Sequence, residues 1–495
     1  MTTAAPHIAI IGAGIGGLAA ALRLSYAGCR VTVLERHAGP GGKMRTLPTI
    51  AGDVDAGPTV LTMKSVFEDL FADAGLRLED HVTLQAEDIL ARHFWRDGKV
   101  LDLMRDAAHS RENVARAFGS SGAEEFTAFC QQTDHLFDAF DGPMIRSAQP
   151  SLAELALTVA KSPKLLRAMR PLSTLTQSLN RHFTDPRLAQ LFARYATYVG
   201  GLPTQSPSLL SLIWQAENQG VWYVKGGMHQ LAQSIVNAAR GFGAEFVYNA
   251  HVTRIKTQDG NACAVQTEDT RYAVDAVLFN GDPNALQTGL LGPTLEKAVD
   301  KGMTTPRSLS ANVVSFAAIP KGVDLAAHNV FFARDPQTEY APLARGEQQR
   351  DPTLYICAQD RFGGATPDGP ERFEIILNSP PNDTNAAPSK KETEQCQTLI
   401  LQQLDQFGLD FSPQPAPDTL TMTRHFAQLF PASHGSLYGR SPHGMMAAFK
   451  RPSARSKVKG LYLAGGGTHP GAGVPMATLS GAHAAAAILS DLTST

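Results

Sequence analysis

The sequence predicts an α/β fold with a Rossmann-like domain, and three observations carry that prediction. Near its start, a short apolar run, HIAII (His7 to Ile11), enters the glycine turn GAGIGG and then the alanine- and leucine-rich stretch LAAALRLSYAG. That order is a buried parallel strand, a tight turn and a helix. Near its end, LYLAGGG leads into PMATLSGAHAAAAIL, a second strand, glycine turn and helix whose spacing does not repeat the first. Finally, 495 residues exceed what one hydrophobic core usually supports, so two or three packed regions are expected.

At the first turn, Gly12, Gly14 and Gly17 match GxGxxG. Gly12 permits the turn, Gly14 lets a pyrophosphate approach the backbone, and Gly17 allows helix and strand to pack closely. The helix then presents free N–H groups and a positive dipole end to phosphate. The following strand, CRVTVL, runs into Glu35, 18 positions after Gly17, near the ~20 typical of the acid that holds a ribose hydroxyl. A carboxylate there would repel a 2′-phosphate. Which dinucleotide binds is left open by this motif. A second glycine turn, RHAGPGGKMRT, and DVDAGPTVLTM follow, placing basic residues where they can close over the same pyrophosphate.

The segment 71–220 reads as helices broken at prolines and is strongly basic in part. Between Lys161 and Arg194 it holds seven basic residues against one acid, Asp185, with Leu165, Leu166 and Met169 at helical spacing among Lys164, Arg167 and Arg170. Such a stretch suits either an anionic membrane surface or a solvated face over an ordinary core. SPHGMMAAFKRP, with Met445, Met446 and Phe449 before Lys450 and Arg451, is a second candidate contact. GVWYVKGG returns the chain to the nucleotide domain, and the short apolar runs LYICAQ and FEIILNS in 301–424 predict a mixed sheet. The expected organisation is therefore a nucleotide domain in three parts, 1–70, 221–300 and 425–495, with a helical region at 71–220 and a mixed-sheet substrate domain at 301–424. If the first turn holds the adenosine end of a long cofactor, the last can approach its other end, so that both ends of the chain meet on one FAD.

GAGIGG, ER…GGKMR, DAGPTV, VKGGMHQLAQSIVNAARGFGAEFVYNAHVTRI and GGGTHPGAGVPMA together resemble the carotenoid desaturases of the bacterial phytoene desaturase type, within the FAD-dependent amine oxidase superfamily. The resemblance spans nearly the whole chain, and DAGPT and THPGAG are its more specific parts. GPTVLTM, FADAG and ILARHFW are similar to the purple-bacterial branch that acts on acyclic 1-hydroxycarotenoids, which implies 3,4-desaturation. The resemblance implies Gly12, Gly14, Gly16 and Gly17 at the pyrophosphate and Glu35 on the ribose. It further implies Lys43 and Arg45 near the phosphates, Gly57, Pro58 and Thr59 beside the flavin and Val252 against adenine, with Arg36, Gly42 and Met44 also among the cofactor-binding residues. Gly466, Gly467, Val474, Pro475 and Met476 would line the isoalloxazine. Lys43 departs from the arginine of many relatives, keeping charge while losing bidentate contact.

No nucleophile–base pair, HExxH motif, paired helical carboxylates or second GxGxxG is found, and the five cysteines show no paired spacing for a metal or redox motif. Chemistry then falls to the cofactor, with the protein holding the reacting bond and excluding water. Electrons would leave to an acceptor such as a quinone or oxygen. By family position Glu154 lines up with an acid for proton handling, although a carboxylate early in a helix is also simply solvated. His469 within THPGAG is the first-ranked histidine, ahead of His434 and His443, although a histidine beside glycine turns also serves as a structural hydrogen-bonder. The formal charge of −2 implies no nucleic-acid partner, and MTTAAPHIAIIGAG has no basic leader, so a cytoplasmic protein on the inner face of the membrane is expected. A non-redox prenyl-lipid carrier of the GDP dissociation inhibitor type is the alternative from another class, and desaturation of phytoene or oxidation of an amine are alternatives within the superfamily.

Overall fold

The computed structural model describes residues 5–494 apart from 383 and 385. His7–Ile11 is the middle strand of a five-stranded parallel sheet ordered Leu461–Leu463, Ala276–Phe279, His7–Ile11, Arg30–Leu34, Glu245–Val247. Ile8, Ala9 and Ile10 are wholly buried, as a strand covered on both faces requires. Three separate parts of the chain build this one sheet.

Helices Ile15–Tyr26, Met228–Gly241 and Val474–Thr493 pack into the core against it. The first and last of these approach so closely that a Cβ on Gly481 would lie 2.2 Å from the Gly16 carbonyl oxygen. The alanines of the C-terminal helix follow from the same constraint, because Ala484 and Ala485 are fully buried between neighbouring elements. An antiparallel three-stranded sheet, Val252–Gln258, Asn261–Thr267 and Arg271–Ala273, adjoins the parallel sheet.

The second large layer is an eight-stranded mixed sheet. Its central strands, Ser310–Lys321, Glu371–Ser379, Leu354–Ala358 and His328–Phe331, come from the segment where a mixed sheet was expected. The hairpin Ile89–Phe94 and Val100–Met104 joins it through parallel pairing of Asn329, Val330 and Phe331 with Arg92, His93 and Phe94. That hairpin lies in the stretch read as helical, and its partner strand is more than two hundred residues away, so no local pattern announces it. The remainder of the stretch is mainly helical. A long helix, Ala107–Phe140, bends at Gly119 (φ 82°), and Phe126, Phe129, Phe183, Phe192 and Trp214 pack an aromatic core beneath it.

Candidate functional site

One long cleft runs from the first glycine turn to the last, with about 1930 Å³ of atom-free space including its open mouth. At one end Gly12, with φ +99°, donates its N–H to Leu34 O at 2.8 Å. Gly41 N–H donates to Ala13 O at 2.9 Å, so the second glycine turn is tied to the first. Asn280 Nδ2 donates to Gly12 O and Gly14 O at 3.0 and 3.2 Å, holding the loop from beneath. A Cβ at Gly14 would have Asn280 Nδ2 at 3.1 Å as its nearest neighbour, and its cleft side is open. The helix starting at Ile15 points its first-turn N–H groups into this end, as an anion requires.

Glu35 is 4% accessible. Its Oε2 accepts from Ala13 N–H at 2.7 Å and its Oε1 from His37 N–H at 2.8 Å. These charge-assisted bonds lock the turn, and each oxygen keeps a lone pair for a ribose hydroxyl. Ala250 and Val252 form the adjoining apolar wall.

Lys43 crosses the cleft. Its Nζ donates to Leu437 O at 2.5 Å and lies 5.3 Å from the centre of the Phe430 ring. Burial draws its pKa down to about 8, with Asp282 opposing the shift and Arg307 and Arg451 adding to it. An amine in such a place gains from a bound anion.

At the other end the wall consists of Gly57, Pro58, Tyr438, Gly439, Gly466 and Gly467, with the start of the Val474–Thr493 helix behind them. Gly465 N–H donates to Ser480 Oγ at 2.7 Å, which anchors this turn to its helix. The mixed sheet supplies the roof through Ala311, Val313, Glu374 and Ile376.

Of the residues assigned to the cofactor from the sequence, Gly12, Gly14, Gly16, Glu35, Arg36, Gly42, Lys43, Met44, Gly57, Pro58, Val252, Gly466, Gly467 and Val474 line this cleft. The others stand behind the wall. A Cβ at Gly17 would meet Gly12 O at 2.3 Å, so its role is packing. Arg45 donates to Thr421 Oγ1 at 2.8 Å, and Thr59 shares a 2.9 Å hydrogen bond with Tyr355. Pro475 opens the last helix, and Met476 packs toward Met63, Val66 and Phe137.

The two catalytic candidates also lie outside it. Glu154 is exposed in the first turn of Leu152–Ala160, its N–H bonded to the Ser151 hydroxyl. His469 is buried, bonded through Nε2 to Ser147 O at 2.8 Å and stacked on His483, and burial lowers its pKa to about 4. His443 Nε2 accepts from Leu202 N–H at 2.9 Å, and His434 sits 3.2 Å from Asn284 Nδ2. Reading the sequence missed Asn280, Tyr438 and Glu374. Only Asn280 had a signal, since it immediately follows the strand Ala276–Phe279 that flanks the first glycine turn.

Residues 15–489 match the model of the flavin containing amine oxidoreductase family. The chain belongs to this family. It is 52% identical to hydroxyneurosporene desaturase of Cereibacter sphaeroides, over 99% of this chain and 98% of that one, and 48% identical to the protein of the same name from Rhodobacter capsulatus, over 98% of each. A more distant relative, 28% identical over 95% of this chain and 96% of its own, is the 1-hydroxycarotenoid 3,4-desaturase of a Flavobacterium. Among solved structures, putrescine oxidase bound to putrescine shares the fold with a TM-score of 0.60 at 16% identity, covering 98% of this chain and 99% of that one. As a flavin containing amine oxidoreductase, the chain takes FAD, and the cleft fits that group. A glycine cradle on a helix N-terminus would meet a pyrophosphate, a strand-end acid would meet a ribose, a buried lysine would add positive charge, and the last glycine turn would leave room for a flat ring.

Proposed function

We propose that this flavoprotein desaturates the 3,4 bond of an acyclic 1-hydroxycarotenoid such as 1-hydroxyneurosporene. The observation that carries the reading is full-length similarity to hydroxyneurosporene desaturases at 52% and 48% identity, on a chain whose cleft has the groups FAD needs. When bound, FAD would supply the two-electron oxidation that removing two hydrogens from adjacent carbons requires. The apolar roof of Ala311, Val313 and Ile376 would hold the saturated bond beside the cofactor and keep water out. Charge developing beside a conjugated polyene is delocalised into it, so the demand on a strong general base is small. The electrons would then pass to an acceptor such as a quinone or oxygen.

The substrate is collected from a membrane surface. Leu152, Leu157, Leu166 and Leu172 are 50%, 56%, 49% and 98% accessible, and the exposed Lys161, Lys164 and Arg167 stand among them. Met445 and Met446 are also exposed, near the exposed Lys450. Apolar side chains mixed with cations suit the headgroup region of an anionic bilayer on its cytoplasmic face. Among the described residues no helix is long and apolar enough to cross one.

The test is anaerobic single turnover with FAD-loaded protein and liposomes carrying 1-hydroxyneurosporene or phytoene. Flavin bleaching with a red shift of the polyene on the hydroxylated substrate supports the reading. Bleaching with phytoene alone moves the activity elsewhere in the family, and oxidised flavin with both favours a non-redox lipid carrier.

A further inference from the structure

We infer that Glu374 recognises the substrate's hydroxyl group, which makes it the specificity-determining residue for a hydroxylated over an unhydroxylated polyene. This rests on the proposed reaction, whose chemistry places the hydroxyl. An oxygen on C1 is three bonds from C3, so when the 3,4 bond lies against the cofactor the hydroxyl is only roughly 4 Å from a reacting carbon. It is therefore carried into the closed part of the cleft, where a hydroxyl without a hydrogen bond is costly.

Among the described residues that line the cleft, two carry buried side-chain polar atoms lacking a hydrogen-bond partner, Asn280 Oδ1 and both carboxyl oxygens of Glu374. Asn280 already holds the first glycine turn through its Nδ2, at the phosphate end. Glu374 is in the roof, on the strand Glu371–Ser379 between Ser315 and Cys357 of the flanking strands, and is 0% accessible. Burial, with Asp55 beside it, raises its pKa far above the carboxylate range, and Arg45 opposes the shift only in part. A neutral carboxyl can donate its O–H to a hydroxyl oxygen and accept the hydroxyl proton on its other oxygen. A native fold rarely leaves both oxygens of a buried acid unsatisfied, and a ligand hydroxyl at this wall satisfies them.

The experiment compares 1-hydroxyneurosporene with neurosporene, which lacks the hydroxyl, on anaerobic holoenzyme whose flavin is chemically reduced beforehand so that bound carotenoid is not consumed. Kd is read from the visible absorbance of the polyene for the wild type, E374Q and E374L. The expected result is a wild-type preference for the hydroxylated polyene that E374L abolishes, a loss of about tenfold, with neurosporene binding unchanged. E374Q keeps most of the preference, because an amide still donates and accepts. In the wild type, the infrared band of the protonated carboxyl shifts on binding 1-hydroxyneurosporene and stays put with neurosporene, a readout that needs no variant to fold. An unshifted band, an E374L protein that keeps the preference, or equal loss of both ligands overturns the inference. If the wild type neither binds nor desaturates 1-hydroxyneurosporene, the proposed reaction fails instead, and the two failures are distinct.

Discussion

Lys43 is a buried amine in the cleft, and its titration separates binding from stability. Its pKa in the folded protein, about 8, lies below the free value of 10.5, so between these values the unfolded chain binds more protons and the stability of the cofactor-free protein rises with pH. A pyrophosphate favours the charged form, so FAD binding changes in the opposite direction. Measured by flavin fluorescence from about pH 7 to about pH 10, the FAD Kd is expected to rise by about tenfold per pH unit above pH 8. K43M weakens binding at neutral pH and flattens the profile, and K43R keeps affinity without the alkaline loss, since arginine stays charged. A wild-type Kd independent of pH removes Lys43 from the phosphate site. The residue was legible as a cation after a glycine pair. Its burial against Phe430 and Leu437 O was not, because those partners stand nearly four hundred positions away.

The contact that matters most among the elements is the one between the first and last helices. A Cβ on Gly481 would meet the Gly16 carbonyl oxygen at 2.2 Å and Ala19 Cβ at 3.0 Å, so G481A forces these helices apart. Overpacking of this kind costs about 1–3 kcal/mol. Because Gly16 also lines the cleft, the same strain reaches the cofactor. The expected outcome is a lower urea midpoint together with faster release of FAD on dilution. Unchanged flavin retention in a destabilised G481A protein would show that the helices are coupled to the fold alone. Both strand–turn–helix units were readable locally, from apolar runs ending in glycine. Their mutual approach was carried only by small residues, which also occur in helices that touch nothing.

Taken whole, the molecule pairs a deep interior cleft with an apolar and basic outer patch. Neutralising two charges there, in K164Q/R167Q, tests whether the patch meets a membrane. Each basic residue near an anionic surface contributes ~1 kcal/mol, so losing two lowers vesicle partitioning by about thirtyfold. Sedimentation with anionic liposomes measures this, and turnover on substrate presented in detergent is expected to stay at the wild-type level. Partitioning equal to that of the wild type assigns these residues to an ordinary solvated face. Three other basic residues of the run serve the fold: Arg187 pairs with Asp185 and Asp97, Arg170 binds Ser178 O, and Arg194 is bonded to Tyr198. The charge run was visible in the sequence, but its division into structural and exposed cations needed the tertiary packing.

By itself the sequence determined the strand–turn–helix unit at each end of the chain, the glycine turn in each and the acid at the end of the second strand. Each of these is dictated within a few residues, by strand hydrophobicity, by turns that need glycine and by the reach of one side chain. Tertiary structure alone decided which residues reach the cleft. It set Gly17, Arg45, Thr59, Pro475 and Met476 behind the wall, put Glu154 in solvent, bound His469 to a backbone carbonyl, and brought Glu374 into the roof. A strand's pattern tells which side chains are buried; whether a buried acid faces a partner or a cavity depends on what the rest of the chain sets opposite it.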